Sequence, residues 1–267
     1  MSKYRFVAID LDDTLLNEDL SLSERSIETI SRVKDAGVHV TLATGRMFCS
    51  AKKYAQQIGI DIPLITYQGA LVKSPCEKEL VLHRPVPLNI AHDVINDIKK
   101  HGDFHVNVYL DDKLYTEKMT EAAVQYQKIS QVEMNIVGDL LKFLKEPPTK
   151  VLVSATEEEV DYLINELKPI YQKELHVTKS KPYFLEFSHP KANKGDVLEV
   201  LVNRLDVERE QIIAIGDSYN DVEMLKYAGM GVVVGNARDE IKKLADYVAP
   251  PNVHDGVAKA LEDLVLK

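Results

Sequence analysis

The sequence predicts an α/β protein built on a parallel sheet, with a separate α+β block inserted near its middle. Three observations carry this. Short apolar runs end abruptly in polar residues: Phe6-Val7-Ala8-Ile9 into Asp10, residues 38–43 into Thr44, and Gln211-Ile212-Ile213-Ala214-Ile215 into Gly216-Asp217. The runs are β-branched and apolar on both parities, as a strand covered on both faces requires. Helical patterns alternate with them, and that rhythm implies crossover units on a parallel sheet.

Each element follows from local signals. Ser21 and Glu24 have capping-box spacing and open a helix over 22–36 that stops at Gly37. A second helix over 49–58 stops at Gly59, and the far end reads as helices at 195–205, 220–228 and 239–245 with strands near Ile212 and Val232. The middle breaks the rhythm. It reads as a helix over 89–101, a strand over 105–110, a turn at Asp111-Asp112-Lys113 and a short strand near Leu114. A strand over 150–154 then leads to a capping box at Thr156 and Glu159, a helix to about Tyr171, and a hairpin of 175–179 with 183–187, turned by Ser180-Lys181-Pro182. Pro85 and Pro87 precede this block and Pro190 follows it. Residues 84–189 are therefore expected as an inserted domain, and residues 1–83 with 190–267 as the core.

Composition narrows the function classes. The 267 residues are 45% hydrophobic and 28% charged, ordinary for a globular chain. A chain this long buries roughly three-quarters of its unfolded surface, so its core needs no covalent staples. Two cysteines, Cys49 and Cys76, exclude a disulfide framework and a four-cysteine zinc site; they read as packing residues in a reducing compartment. A net charge of −9 argues against wrapping a nucleic-acid duplex, and the twelve tyrosines form no stacking stripe. Charge-free stretches such as 62–72 are far short of the ~20 apolar residues of a membrane span. The opening Met1-Ser2-Lys3-Tyr4 is unlike a basic-then-apolar leader. The expectation is a soluble, cytoplasmic protein with no nucleic-acid or membrane partner, its oligomeric state left open. Eight dispersed histidines make no zinc motif, and Gly229-Met230-Gly231 before Gly235 misses the dinucleotide-binding spacing and reads as a turn.

In an open parallel sheet, ligands bind beyond the carboxyl ends of the strands, so Asp10, Thr44 and Asp217 are expected on one rim. Asp10 and Asp12, two positions apart in extended chain, point to one side. Asp217 and Asp221, within Gly216-Asp217-Ser218-Tyr219-Asn220-Asp221, add two more acids. Clustered carboxylates repel and need a proton or a cation. An all-oxygen set without paired histidine or thiol suits Mg²⁺. Lys194, at a helix start in Asn193-Lys194-Gly195, supplies a point cation beside amides that favour anions. Acids, a magnesium ion, a hydroxyl and a lysine together point to phosphate chemistry.

At these residues the sequence resembles the haloacid dehalogenase superfamily, and its order of parts is similar to the Cof-type sugar-phosphatase branch. The four signatures are Asp10-Leu11-Asp12-Asp13-Thr14, Thr44-Gly45-Arg46, Lys194, and Gly216-Asp217 through Asp221, with Asp255-Gly256-Val257-Ala258 near the end. The resemblance implies a Rossmann-like parallel-sheet core with an inserted α+β type II (subclass B) cap that closes over the site. It implies Asp10 as nucleophile and Asp12 as general acid and base. It implies Mg²⁺ held by Asp10, the backbone carbonyl of Asp12, and Asp217. Thr44, Lys194, Asn220 and the amides of Leu11 and Gly45 would grip the phosphoryl oxygens, and Asp221 would orient Lys194 or a water. Arg46 has a surface reading and a family reading, both open. Asp13 stands where the superfamily most often has glycine, and aspartate is among the few residues that tolerate left-handed geometry.

The expected activity is Mg²⁺-dependent hydrolysis of small phosphomonoesters through an aspartyl-phosphate, with sugar phosphates foremost and pyridoxal phosphate and nucleotides behind. A phosphomutase, a phospho-acceptor module like a receiver domain, and an idle sugar-phosphate sensor stay open. The acid two positions after the nucleophile and the large insert count against the receiver.

Overall fold

The computed structural model describes residues 2–77 and 79–267. It divides into two compact units, residues 1–82 with 193–267 and residues 83–192. In chain order the first unit opens with β1 (Phe6–Ile9), α1 (Glu24–Asp35), β2 (His39–Leu42), α2 (Phe48–Gln57), β3 (Leu64–Thr66), β4 (Leu71–Lys73) and β5 (Leu80–His83). The second holds α3 (Leu88–His101), β6 (His105–Leu110), β7 (Lys113–Thr116), α4 (Glu121–Ser130), β8 (Met134–Ile136), α5 (Leu140–Phe143), β9 (Lys150–Ser154), α6 (Glu157–Tyr171), β10 (His176–Lys181) and β11 (Phe184–Ser188). The chain then completes the first unit with α7 (Lys194–Asn203), β12 (Ile212–Gly216), α8 (Val222–Tyr227), β13 (Met230–Val234), α9 (Asp239–Lys242), β14 (Tyr247–Ala249) and α10 (Gly256–Leu264).

The core sheet runs β14-β13-β12-β1-β2, and every pairing in it is parallel. Every residue of β1 and β12 is buried, which is why their sequences are apolar throughout. Among the described residues, β2 is followed by an isolated parallel bridge, Ala43 to Ile65, and β3 pairs antiparallel with β4 in a small sheet of order β3-β4-β5. The chain steps from β1 to β2 on one side and returns as β12 on the other. The crevice above β1 and β12 is therefore the switch in strand order where ligands settle.

The second unit is α+β. Its sheet runs β10-β11-β9-β6-β7-β8, antiparallel except where β8 joins β7. Val106, Val108, Val151, Val153, Leu185 and Phe187 share one core cluster with Val94, Ile98, Leu163 and Leu167 of α3 and α6. The alternate residues include Lys150 and Glu186, a buried ion pair at 3.1 Å. No helix among the described residues is long and apolar enough to cross a membrane.

Local details correct several expectations. The N-cap of α1 is Ser23, whose side chain accepts from Ser26 N, not Ser21. Ser21 is instead held in a turn by Asp19, which accepts both its amide and its hydroxyl. The late hairpin turns at Pro182-Tyr183 because β10 extends through Lys181. Met230 and Gly231 begin β13 rather than forming a turn. Cys76 is exposed rather than buried in the core. The box at Thr156 and Glu159 is present with both its bonds. We expect Thr156→Ala to remove about 1 kcal/mol of stability while leaving turnover unchanged, read by urea unfolding alongside an activity assay.

Candidate active site

The site is assembled at the carboxyl ends of β1, β2 and β12. β1 ends at Asp10, whose N–H donates to Ile215 O of β12 at 2.9 Å, so the two strand ends leave the sheet together. The chain then makes one wide helical turn, Leu11–Leu15, closed by Leu16 N–H donating to Leu11 O at 2.9 Å. Within it Asp13 takes φ +60°, the left-handed geometry that an aspartate tolerates. Asn236 Nδ2 donates to Asp13 O at 2.7 Å, and Asn252 Nδ2 donates to Leu16 O at 2.9 Å. Asn252 N–H also donates to Asn236 Oδ1 at 3.0 Å, so the two amides clasp the turn as one unit.

Lys194 is the first residue of α7 and is fully buried. Its Nζ lies 2.6 Å from Asp10 Oδ1 and 2.6 Å from Asp221 Oδ1, although Asp10 is 184 positions away in sequence. Burial alone would lower the lysine's pKa, but Asp10 and Asp221 overcome it and hold the ammonium charged, above the ordinary range. The other oxygen of Asp221 accepts the N–H groups of Asp217 and Ser218, each at 3.1 Å. Asp221 is thus engaged on both oxygens.

Asp10, Asp217 and Asp221 bring carboxylate oxygens within 4.8 Å of one another. Burial pushes the Asp10 carboxyl well above the usual range; Lys194 opposes the rise, and Asp221 and Asp217 add to it. Burial, then the Asp221 charge, pushes Asp217 up to about 7, against a hydrogen bond from Thr14 Oγ1 at 2.9 Å. These two groups resist ionising chiefly because they are buried, with the neighbouring carboxylates adding to it against the Lys194 charge. The donor set is all oxygen, and the carboxylates of Asp10 and Asp217 are the ones that fit a hard divalent cation, because Asp221 has no oxygen to spare.

Asp12 does not join that cluster. Its carboxylate is gripped by both prongs of Arg46, Nε to Oδ2 at 2.8 Å and Nη2 to Oδ1 at 2.6 Å. The Arg46 side chain is largely buried, lies over the Tyr54 ring, and also donates to Tyr54 Oη and Ser50 Oγ at 3.4 Å. Burial would lower its pKa, but the Asp12 contacts raise it. The Arg46 guanidinium is thus tied to Asp12 rather than free in solvent. Thr44 is fully buried at the end of β2, where its hydroxyl accepts the Arg46 amide at 3.1 Å. Gly45 is half-buried beside it, and Leu11 is fully buried at the start of the wide turn. Asn220 is exposed and donates through Nδ2 to Gln68 Oε1 at 3.1 Å.

The sequence reading missed Gln68, Asn236 and Asn252. For Gln68 a signal existed: Leu64-Ile65-Thr66 is a fourth apolar run ending in polar residues, and the rule that singled out Asp10, Thr44 and Asp217 applies to it as well. The two asparagines carry no local signal, since each answers a backbone carbonyl more than two hundred positions away.

Comparison with known proteins agrees with this geometry. Residues 7–261 match the family model for haloacid dehalogenase-like hydrolases. The chain is 32% identical over 265 residues to a 5-amino-6-(5-phospho-D-ribitylamino)uracil phosphatase, YitU of Bacillus subtilis, covering 98% of each. Among solved structures, a haloacid dehalogenase-like hydrolase from Bacteroides thetaiotaomicron superposes with a TM-score of 0.91 at 30% identity, over 97% of this chain and 99% of that one. The subclass IIB sugar phosphatase BT4131 shares the fold, with a TM-score of 0.83 at 20% identity over 97% of this chain and 98% of that one. The chain belongs to the haloacid dehalogenase-like hydrolase family, in its Cof-type phosphatase branch, with a parallel-sheet core and an inserted α+β unit.

Proposed function

We propose that the chain is a Mg²⁺-dependent phosphatase that hydrolyses small phosphomonoesters, sugar phosphates foremost, through an aspartyl-phosphate. The observation that carries this reading is the buried Lys194 bridging Asp10 and Asp221 within reach of Asp217. Such a group of charges, two of them held against their ionisation, suits the binding of a cation and an anion together. The relative named for a phosphorylated ribityl compound supports the substrate class.

In the first step an Asp10 oxygen attacks phosphorus in line and the bond from phosphorus to the ester oxygen breaks. The leaving oxygen takes a proton from Asp12. In the second step water attacks phosphorus and yields its proton to the Asp12 carboxylate, while the bond from phosphorus to Asp10 breaks and free phosphate is released. Lys194, Thr44, Asn220 and the Leu11 and Gly45 amides hold the phosphoryl oxygens. Asp10, Asp217 and the Asp12 carbonyl would hold the cation, which offsets negative charge so that an anionic carboxylate can meet an anionic phosphate. In the fork with Arg46 both Asp12 oxygens are acceptors, so Asp12 would give up at least one of those bonds, with Arg46 as its resting partner, to carry the proton; the inserted unit, as a cap, would supply the contacts that select the alcohol.

Four outcomes follow. Multiple-turnover release of inorganic phosphate from a panel of phosphomonoesters is expected, without isomer formation; a single stoichiometric phosphorylation would favour a phospho-acceptor instead. Asp10→Asn should lower kcat at least ~1000-fold with an unchanged circular-dichroism spectrum, since Lys194 keeps Asp221 as a partner. Arg46→Lys keeps the charge but loses the fork, and should lower kcat about tenfold or more with little change in KM. The fourth concerns pH. Asp217 at about 7 in the cation-free protein lies above its unfolded value, so its contribution to stability is complete at low pH and is lost as pH rises through 7. A bound cation must displace that proton. Mg²⁺ should therefore raise the melting temperature more at pH 8 than at pH 5.5, and an equal rise at both would refute the assignment.

A further inference from the structure

The turn after β3 is the most strained backbone near the site. Tyr67, Gln68 and Gly69 occupy the left-handed region in succession, at φ +51°, +57° and +98°. Only glycine adopts that region freely, and a run containing a tyrosine and a glutamine persists only when its surroundings impose it. Those surroundings are the phosphate-gripping segments proposed above. Tyr67 N–H donates to Arg46 O and Gln68 N–H to Thr44 O, each at 3.0 Å, so the turn is bonded on both sides of Gly45. A Cβ at Gly69 would lie 2.5 Å from Asn193 O, which wedges the turn against the residue that caps α7 ahead of Lys194. The Gln68 side-chain amide lies over Gly45 so closely that a Cβ there would collide with it. Its Oε1 accepts the Asn220 amide at 3.1 Å. The strained turn as a whole therefore touches the β2 loop, the residue ahead of α7 and the loop after β12, and Gln68 itself bridges the first and the last.

We propose that Gln68 is a positioning residue that sets the Asn220 amide and the Gly45 backbone for the phosphoryl group, and so acts on phosphate binding rather than on the nucleophile. This rests on the phosphatase reading of the same site. Strain kept at a residue that helps function and not stability gives a test with two signs.

The test uses the full-length enzyme and a phosphomonoester it turns over, with inorganic phosphate as competitive inhibitor. Gln68→Gly relaxes φ and removes the side chain. It should melt at the same or a higher temperature, while the phosphate inhibition constant rises about tenfold and kcat changes by less than about threefold. Gln68→Met, similar in volume but without an acceptor, should lose the same affinity, and it decides the matter where the glycine variant fails to fold. If Gln68 works through Asn220, the double variant Gln68→Met/Asn220→Ala should bind phosphate no more weakly than Asn220→Ala alone. Unchanged inhibition by phosphate, additive losses, or a fall in kcat that tracks a lower melting temperature would each overturn the assignment. With the unmodified enzyme active and Asp10→Asn inactive, such a result removes only the role of Gln68. An unmodified enzyme that releases no phosphate removes both readings.

Discussion

An ammonium group with no exposure to solvent, held between two carboxylates, is the constraint the rest of this core obeys. Lys194 cannot be buried as a cation without partners, and Asp10 and Asp221 cannot sit this close in a dry site without a cation. Ion pairs of this kind add little net stability, because desolvating both partners consumes most of the attraction. Their consequence is geometric. The pairing ties the end of β1, the loop after β12 and the first turn of α7 to a single point, so three segments distant in sequence hold one arrangement.

Parallel topology makes that point accessible. A central β1, with β2 and β12 as its neighbours, brings three strand ends together at one edge, and the return of the chain on the other side of β1 leaves a crevice above them. Backbone there is freed from the sheet ladder and must find other partners, side chains among them. The Asn236 and Asn252 clasp on the wide turn, and the Thr44 hydroxyl on the Arg46 amide, supply such bonds. Each immobilises a stretch that carries a charged group: Asp12 on the turn, Arg46 after β2. The Asp12–Arg46 fork then joins the two stretches directly. Arginine suits that place because a planar guanidinium meets both carboxylate oxygens at once, which an ammonium cannot do.

How legible each part was follows from how local its cause is. Strands covered on both faces leave long apolar runs, so β1, β2 and β12 and the polar residues after them stand out. The segment between β7 and β9 left no such trace: α4 buries only Ala123 and Tyr126, too few to mark a stripe, and β8 has three residues. Capping shows the same contrast. Thr156 and Glu159 form their box from residues already adjacent, whereas Ser21 is drawn into a turn by Asp19 and the cap passes to Ser23. Three of the four family signatures lie after the long strands, and the fourth, Lys194, opens a helix. Gln68 lies after a three-residue strand joined to the main sheet by an isolated bridge, and its importance is visible only in its dihedral angle and its contacts.

Counting charge in the site leads one step further. Asp10, Asp12, Asp217 and Asp221 face Lys194 and Arg46, and each of those two cations is already committed, Lys194 to Asp10 and Asp221, Arg46 to Asp12. Fully ionised, these carboxylates outnumber the two cations, and the Asp13 charge beside Asp217 adds to an excess that a divalent cation offsets. The excess falls on Asp10 and Asp217, the two carboxyls that burial drives above their ordinary range. A phosphate dianion approaching this edge would meet repulsion from those groups, and protonating them would quench the oxygen proposed to attack. A cation held by Asp10 and Asp217 would ease both difficulties: it would let the carboxyl proposed to attack ionise, and it would lower the negative charge that an incoming anion meets. The raised pKa values come from burial first and from the neighbouring carboxylates after it, and a cation is the partner that such a pocket of buried acids calls for.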